Sequence, residues 1–325
     1  MFGIVFGLIL ICVGGFFLKI KKNIKVGSLC LIPGVLILGI GMIVVGLGGS
    51  NDSSSNSTTS NNRASNSGRE SAPVSVTNTR NSPNPETDFT VILTDDGMGA
   101  VITGYIGSTN VVSIPDTIQG MPVREIGSWV LTSGRSAVND TVTSVIIPEG
   151  VTVIRSSAFR QVQNLSTVTI PESVIEIGQM AFFGTALNSV ILPRNLKTLE
   201  TGTFAHTNIS TITLPQGIEV VASRYYDDRG AFFGCTNLNT VIIPEGVTLI
   251  HNSMFGGCTA LTSISIPASV TTIGMWAFAE TGLASISIPE SVTAISIHDR
   301  AFEGSNSLNL ASQALLRRLG YRGDF

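Results

Sequence analysis

Proline returns on a beat through the second half of this chain. Pro148, Pro171, Pro193, Pro215, Pro244, Pro267 and Pro289 follow one another at steps of 23, 22, 22, 29, 23 and 22 residues. Self-similarity at such a period is the signature of a solenoid. A degenerate first unit centres on Pro115. Each unit has six apolar positions: Leu165, Val168, Ile170, Val174, Ile177 and Phe182 in one, Leu261, Ile264, Ile266, Val270, Ile273 and Phe278 in another. "LTSISIP" alternates with strand period, and proline ends the strand because it cannot donate to a ladder. "SVTTIG" turns the chain, and "AF" closes the coil with an aromatic. One coil cannot bury these side chains alone; stacked coils can.

The 29-residue step contains "SRYYDDRG", residues 223–230. Four residues separate Ile177 from Phe182, whereas ten, Ala222 to Ala231, separate Val221 from Phe232. The flanking core positions are kept, so the extra residues form an excursion from the coil. Its charges cancel, Arg224 and Arg229 against Asp227 and Asp228, which fits a self-neutralised loop. Tyr225, Tyr226 and the two arginines are also the side-chain types that dominate binding hot spots, so all six are candidate partner contacts.

The units resemble the BspA-type leucine-rich repeats of bacteria and some protists, whose pattern is a strand LxxIxIP followed by xxVxxIGxxAFxxC. "LTSISIPASVTTIGMWAF" and "LNTVIIPEGVTLIHNSMFGGC" match it almost throughout, and the likeness covers residues 106–305. It implies a solenoid of short parallel strands with few helices. It also implies a cell-surface or secreted setting, and adhesion or protein binding without catalysis. The strand surface would be the binding face. Its outward positions include Thr167, Thr169, Thr211, Thr213, Thr240, Ser263 and Ser265, a neutral hydroxyl-rich set suited to a protein or glycan ligand, or simply to water. Cys235 and Cys258 stand at matching positions of adjacent units. Their expected spacing permits a disulfide; the family pattern implies unpaired thiols buried in the stack.

A solenoid needs covered ends. "FTVILTDDGMGAVITGYIG" reads as a hairpin around an Asp-Gly turn, placing a cap and first repeat over 89–136, with the regular repeats over 137–305. Residues 306–325 read as a helical cap, with Asn309 as N-cap, Gly320 beyond the C-terminus, and Arg317 and Arg318 in the last turn, where cations suit the macrodipole.

The N-terminal part has a different character. Residues 2–18 and 26–47 carry no charge, and between them lie Lys19, Lys21, Lys22 and Lys25, four of the chain's five lysines. Spans of about 17–25 apolar residues cross a bilayer, and basic residues favour the cytoplasmic side. The expectation is a transmembrane helical hairpin over 1–49, its turn inside and both termini outside. A signal peptide is the competing reading of 1–18, but its basic residues would precede the apolar run rather than follow it. Residues 50–88 are a Ser/Asn-rich linker; as a coil their ends would average roughly 35 Å apart. The repeats would then stand off the bilayer, outside the cytoplasm.

Little chemistry is written here. His206, His251 and His298 fall in three different units, and no HExxH, Cys-x-x-Cys, GxSxG or P-loop occurs. Catalysis needs an acid, base or nucleophile converging in a pocket, so no enzyme, cofactor or metal is expected. A net charge of -3 gives no basic field for nucleic acid. Glu149, Glu172, Glu245 and Glu290 follow the prolines as turn residues, and Arg194, Gln216 and Ala268 break that row. The expectation is a membrane-anchored solenoid displayed for protein or glycan binding, as in adhesion. The alternative is a structural or sensory envelope component that binds a neighbouring membrane protein.

Overall fold

The computed structural model describes residues 12–13, 16–17, 82–131, 139–221 and 229–325. The chain divides into two units, Met1–Val74 and Ser75–Phe325. In the first, Cys12–Val13 pairs antiparallel with Phe16–Phe17. This corrects the helix expected over 2–18 at these four residues. Gly14-Gly15 lies between the pairs in sequence, a dipeptide that favours two-residue hairpin loops and weakens helices. Among the described residues no helix is long and apolar enough to cross a membrane; the rest of the expected transmembrane hairpin lies outside them.

The second unit is a solenoid with two ladders of short parallel strands. On the first face, Val111–Ser113, Ser144–Ile146 and Thr167–Thr169 pair in parallel. Further along, Thr211–Thr213 pairs with Thr240–Ile242 and Ser263–Ser265 with Ser285–Ser287. The second ladder runs from Met121–Ile126 through Val153–Ile154, Glu176–Ile177 and Thr198–Glu200 to Glu219–Val221. It resumes with Leu249–Ile250, Thr272–Ile273 and Ser296–Ile297.

The core follows the six-position pattern. Leu261, Ile264, Ile266, Val270, Ile273 and Phe278 are all buried. The closing aromatics form a spine. Phe159, Phe182, Phe204, Phe232, Phe255, Phe278 and Phe302 stack near-parallel with centroids 5.2 to 5.8 Å apart. Each such pair adds about 0.5–1.5 kcal/mol beyond area burial. Left-handed residues lie two before many of these rings, as at Ser157, Met180, Ser253 and Trp276, and two after, as at Gln161, His206 and Glu280. These reversals wrap the backbone around each ring. Coils also touch backbone to backbone: a Cβ on Gly178 would lie 2.5 Å from Ser156 N.

A second ladder supports the spine. Three residues after the phenylalanine stand Thr185, Thr207, Cys235, Cys258, Thr281 and Ser305, all buried. Thr185, Thr207 and Thr281 donate to the carbonyl of their own coil's phenylalanine. Cys235, Cys258 and Ser305 donate to that of the preceding coil. Buried backbone carbonyls need such partners.

The ends are closed differently. Phe89–Leu93 pairs antiparallel with Ala100–Tyr105, which pairs in parallel with Met121–Ile126. At the other end the helix Leu310–Arg318 has Asn309 as N-cap, its side chain accepting from Ser312 N at 2.8 Å. Gly320 follows with φ +100°. Tyr321 sets its ring edge-on to Phe302, 87° from parallel, and ends the stack.

Candidate functional site

Alternation along each first-face strand sends one residue in and the next out. Thr167, Thr169, Thr211, Thr213, Thr240, Ser263 and Ser265 are all exposed on this face. The structure brings Thr211 and Thr213 into one cleft of about 640 Å3, which Ser189, Val190, Ile191, Leu192, Arg194, Leu214, Pro215 and Gln216 also line. The other hydroxyl residues lie along the face outside that cleft.

The cleft sits at an interruption. Residues 189–192 form no strand and pair with neither Thr167–Thr169 nor Thr211–Thr213. Their N–H groups make no hydrogen bond among the described residues; Ser210 N to Asn188 O, 3.3 Å, is the bond that ties this stretch to the next coil. The second ladder stays paired through the same coils, Glu176–Ile177 to Thr198–Glu200 to Glu219–Val221. The stack is thus opened on one side only. Val168 and Ile170, at the edge of the opening, are half-buried where Ile264 and Ile266 are buried.

Ile191 is 85% exposed at the row that Thr169 and Thr213 occupy in neighbouring coils. Ile242, at the same row, is 50% exposed beside a second, unpaired junction between Thr240–Ile242 and Ser263–Ser265. The face is therefore less uniform than its hydroxyl count implies. The signal was present: "SVILP" and "TVIIP" place three apolar residues in a row where "TVTIP", "TITLP" and "SISIP" alternate.

Post-proline acids serve coil-to-coil bonding. Glu172 Oε2 accepts from Arg194 N at 2.8 Å, and Glu245 Oε2 from Ser269 N at 3.2 Å. Ser173 and Ser269 each accept from a glycine N–H of the preceding coil and donate back to that coil's carbonyl.

Arg224, Tyr225, Tyr226, Asp227 and Asp228 lie outside the described residues. Arg229 lies within them, its guanidinium 5.2 Å from the Phe183 ring. It joins an outer strip that the sequence did not reveal. Arg160 lies over Trp129 at 5.7 Å and over Phe183 at 5.3 Å. His206 meets Phe183 and Phe233 edge-on at 5.3 and 5.6 Å. Partial burial, then the charge of Arg229, holds the His206 pKa below its ordinary 6.5. The insertion leaves the first face intact: Thr211 pairs with Thr240 across it, and Phe204 stacks on Phe232 at 5.7 Å.

Cys235 and Cys258 are free and buried. Desolvation raises both thiols above their ordinary 9.0, Cys258 well above. That protonated state suits a structural donor and not a nucleophile. No group of three or more His, Cys, Asp or Glu side chains able to hold a metal occurs among the described residues.

A solenoid of stacked parallel-strand coils belongs to the leucine-rich-repeat class of scaffolds. The BspA type leucine rich repeat region matches residues 137–229 and 227–315 in six copies, more than half the chain, and the chain belongs to that family. Proteins of this kind are typically non-catalytic binding scaffolds. A T. pallidum leucine rich repeat protein is similar in structure, with TM-score 0.57 and 24% identity, over 75% of this chain and 99% of that one. A leucine-rich repeat protein from Bacteroides ovatus gives TM-score 0.52 and 26% identity over 68% of each chain. No curated protein matches the sequence.

Proposed function

We propose that this chain is a non-catalytic, membrane-anchored display protein whose first strand face binds a protein or glycan partner, in adhesion or another surface interaction. The observation that carries the reading is Ile191, 85% exposed over a cleft on a rigid repeated face. Together with Val190, Leu192, Leu214 and Pro215 it makes an apolar cleft with a few polar groups on an otherwise hydroxyl-rich surface, the kind of site that suits a partner. The charge-free runs 2–18 and 26–47 support attachment to a bilayer, the basic residues between them support repeats outside the cytoplasm, and the polar linker 50–88 supports a stand-off from the bilayer. The same two runs fit the second reading equally, an envelope component whose solenoid binds a neighbouring membrane protein. Tyr225, Tyr226 and the charges beside them make the insertion a second contact site in this proposal, on composition alone.

The test is adherence of cells carrying the full chain, with Thr211→Arg and Thr213→Arg introduced together. Both positions are exposed, so folding should be retained and adherence lost. Undiminished adherence would remove the strand face from the account. External protease that leaves the repeats intact while cutting a known surface protein would remove surface display.

A further inference from the structure

The coil over 187–197, "LNSVILPRNLK", departs from its neighbours in several respects at once. It forms no strand on the first face. It places an isoleucine where neighbouring coils place threonine. It places Arg194 where Glu149 and Glu172 precede and Glu245 and Glu290 follow. It also holds Lys197, the one lysine of the chain beyond residue 25. Arg194 and Lys197 are exposed, and neither forms an ion pair among the described residues. The nearest post-proline acid, Glu172, already accepts the Arg194 backbone N–H.

We infer that this opening receives an extended acidic polypeptide segment, one apolar side chain of which packs against Ile191. The inference rests on the strand-face reading and names the class of its ligand. Three features select a polypeptide. Val190, Leu192, Leu214 and Pro215 give the cleft an apolar wall, and its lining holds no aromatic ring on which a sugar would stack. Residues 189–192 offer an unpaired backbone edge, and an extended peptide carries the alternating donors and acceptors that complete such an edge. Val190 and Leu192 are buried side chains on that unpaired backbone, so its polar groups need water or a ligand. Charge then selects among polypeptides: Arg194, the one charged side chain of the cleft's lining, stands beside the apolar anchor on a face otherwise rich in neutral hydroxyls, which steers an acidic segment, while Lys197 lies in an adjoining hollow with Arg194 and Glu172.

The experiment measures binding of the full chain, held in detergent, to short synthetic peptides. One set is acidic with a central leucine or isoleucine. A second replaces that residue by serine, a third replaces the acids by lysine, and heparin serves as an apolar-free polyanion. Selective binding of the first set is expected, with Ile191→Ser and Arg194→Glu each weakening it by about tenfold or more. Circular dichroism of both variants should match the parent, since both side chains are exposed. Equal binding of the serine set or heparin, indifference to Ile191→Ser, or no binding by any peptide overturns the inference. In any of these cases, loss of adherence in the Thr211→Arg, Thr213→Arg chain would leave the strand-face reading standing.

Discussion

At the scale of single residues, the fold depends on side chains that look interchangeable in the sequence but occupy unequal positions. Phe204 is fully buried between Phe182 and Phe232, stacked on both. Phe204→Ala should cost about 3–5 kcal/mol, read by denaturant unfolding, because rigid neighbouring coils cannot collapse into the space. A loss below about 1 kcal/mol would mean that the spine does not hold the stack. Ile191 is the opposite case: Ile191→Ser should change stability by no more than about 0.5 kcal/mol. Cys258 adds a pH signature. Its thiol pKa is raised well above 9.0 by burial, so the unfolded chain loses the proton first as pH rises. Its contribution is therefore complete below about pH 9 and declines above it. Cys258→Thr, which repeats the residue found at 185, 207 and 281, should lessen the alkaline loss of stability; an identical alkaline profile in both proteins would contradict this.

At the scale of elements, what was legible and what was not divide along side chain and backbone. Period and apolar spacing report which side chains face inward, and coils such as Leu261–Phe278 are packed as that pattern requires. Pairing between backbones is not encoded by alternation in the same way. "LNSVILP" keeps Val190 and Leu192 inward, as its neighbours do, yet forms no ladder on either side. The traces it left were the outward isoleucine and the basic residue after proline. The outer strip of Trp129, Arg160, Phe183 and His206 was illegible for another reason. Its members come from four different coils and meet only when the stack forms. The insertion is an element that the first ladder tolerates, since Thr211 reaches Thr240 in register across the longer step, whereas the second ladder is unpaired there, between Glu219–Val221 and Leu249–Ile250. Deleting 223–228 should therefore leave cooperative unfolding and shift Tm by only a few degrees, checked by calorimetry. A broad, multi-step transition would show that the insertion supports the coil.

At the scale of the whole molecule, stability is a sum of nearest-neighbour interfaces, so exposed ends fray first. Tyr321 covers Phe302 edge-on, and the last helix places Ser312 Oγ to accept from Ile286 N at 3.0 Å. Truncation after residue 309 should lower amide protection in 285–305 ahead of the central coils; equal loss along the stack would argue for one indivisible core. The same reasoning makes the opening at Ile191 conspicuous, because it lies mid-stack, where protection should be highest. Native-state hydrogen exchange of the full chain tests this account most directly. Fast exchange is expected at Val190, Ile191 and Leu192, with strong protection at Val145, Thr169, Ile212 and Leu214 on either side. Protection at 190–192 equal to that of the flanking strands would close the ladder there and contradict the binding face built on it.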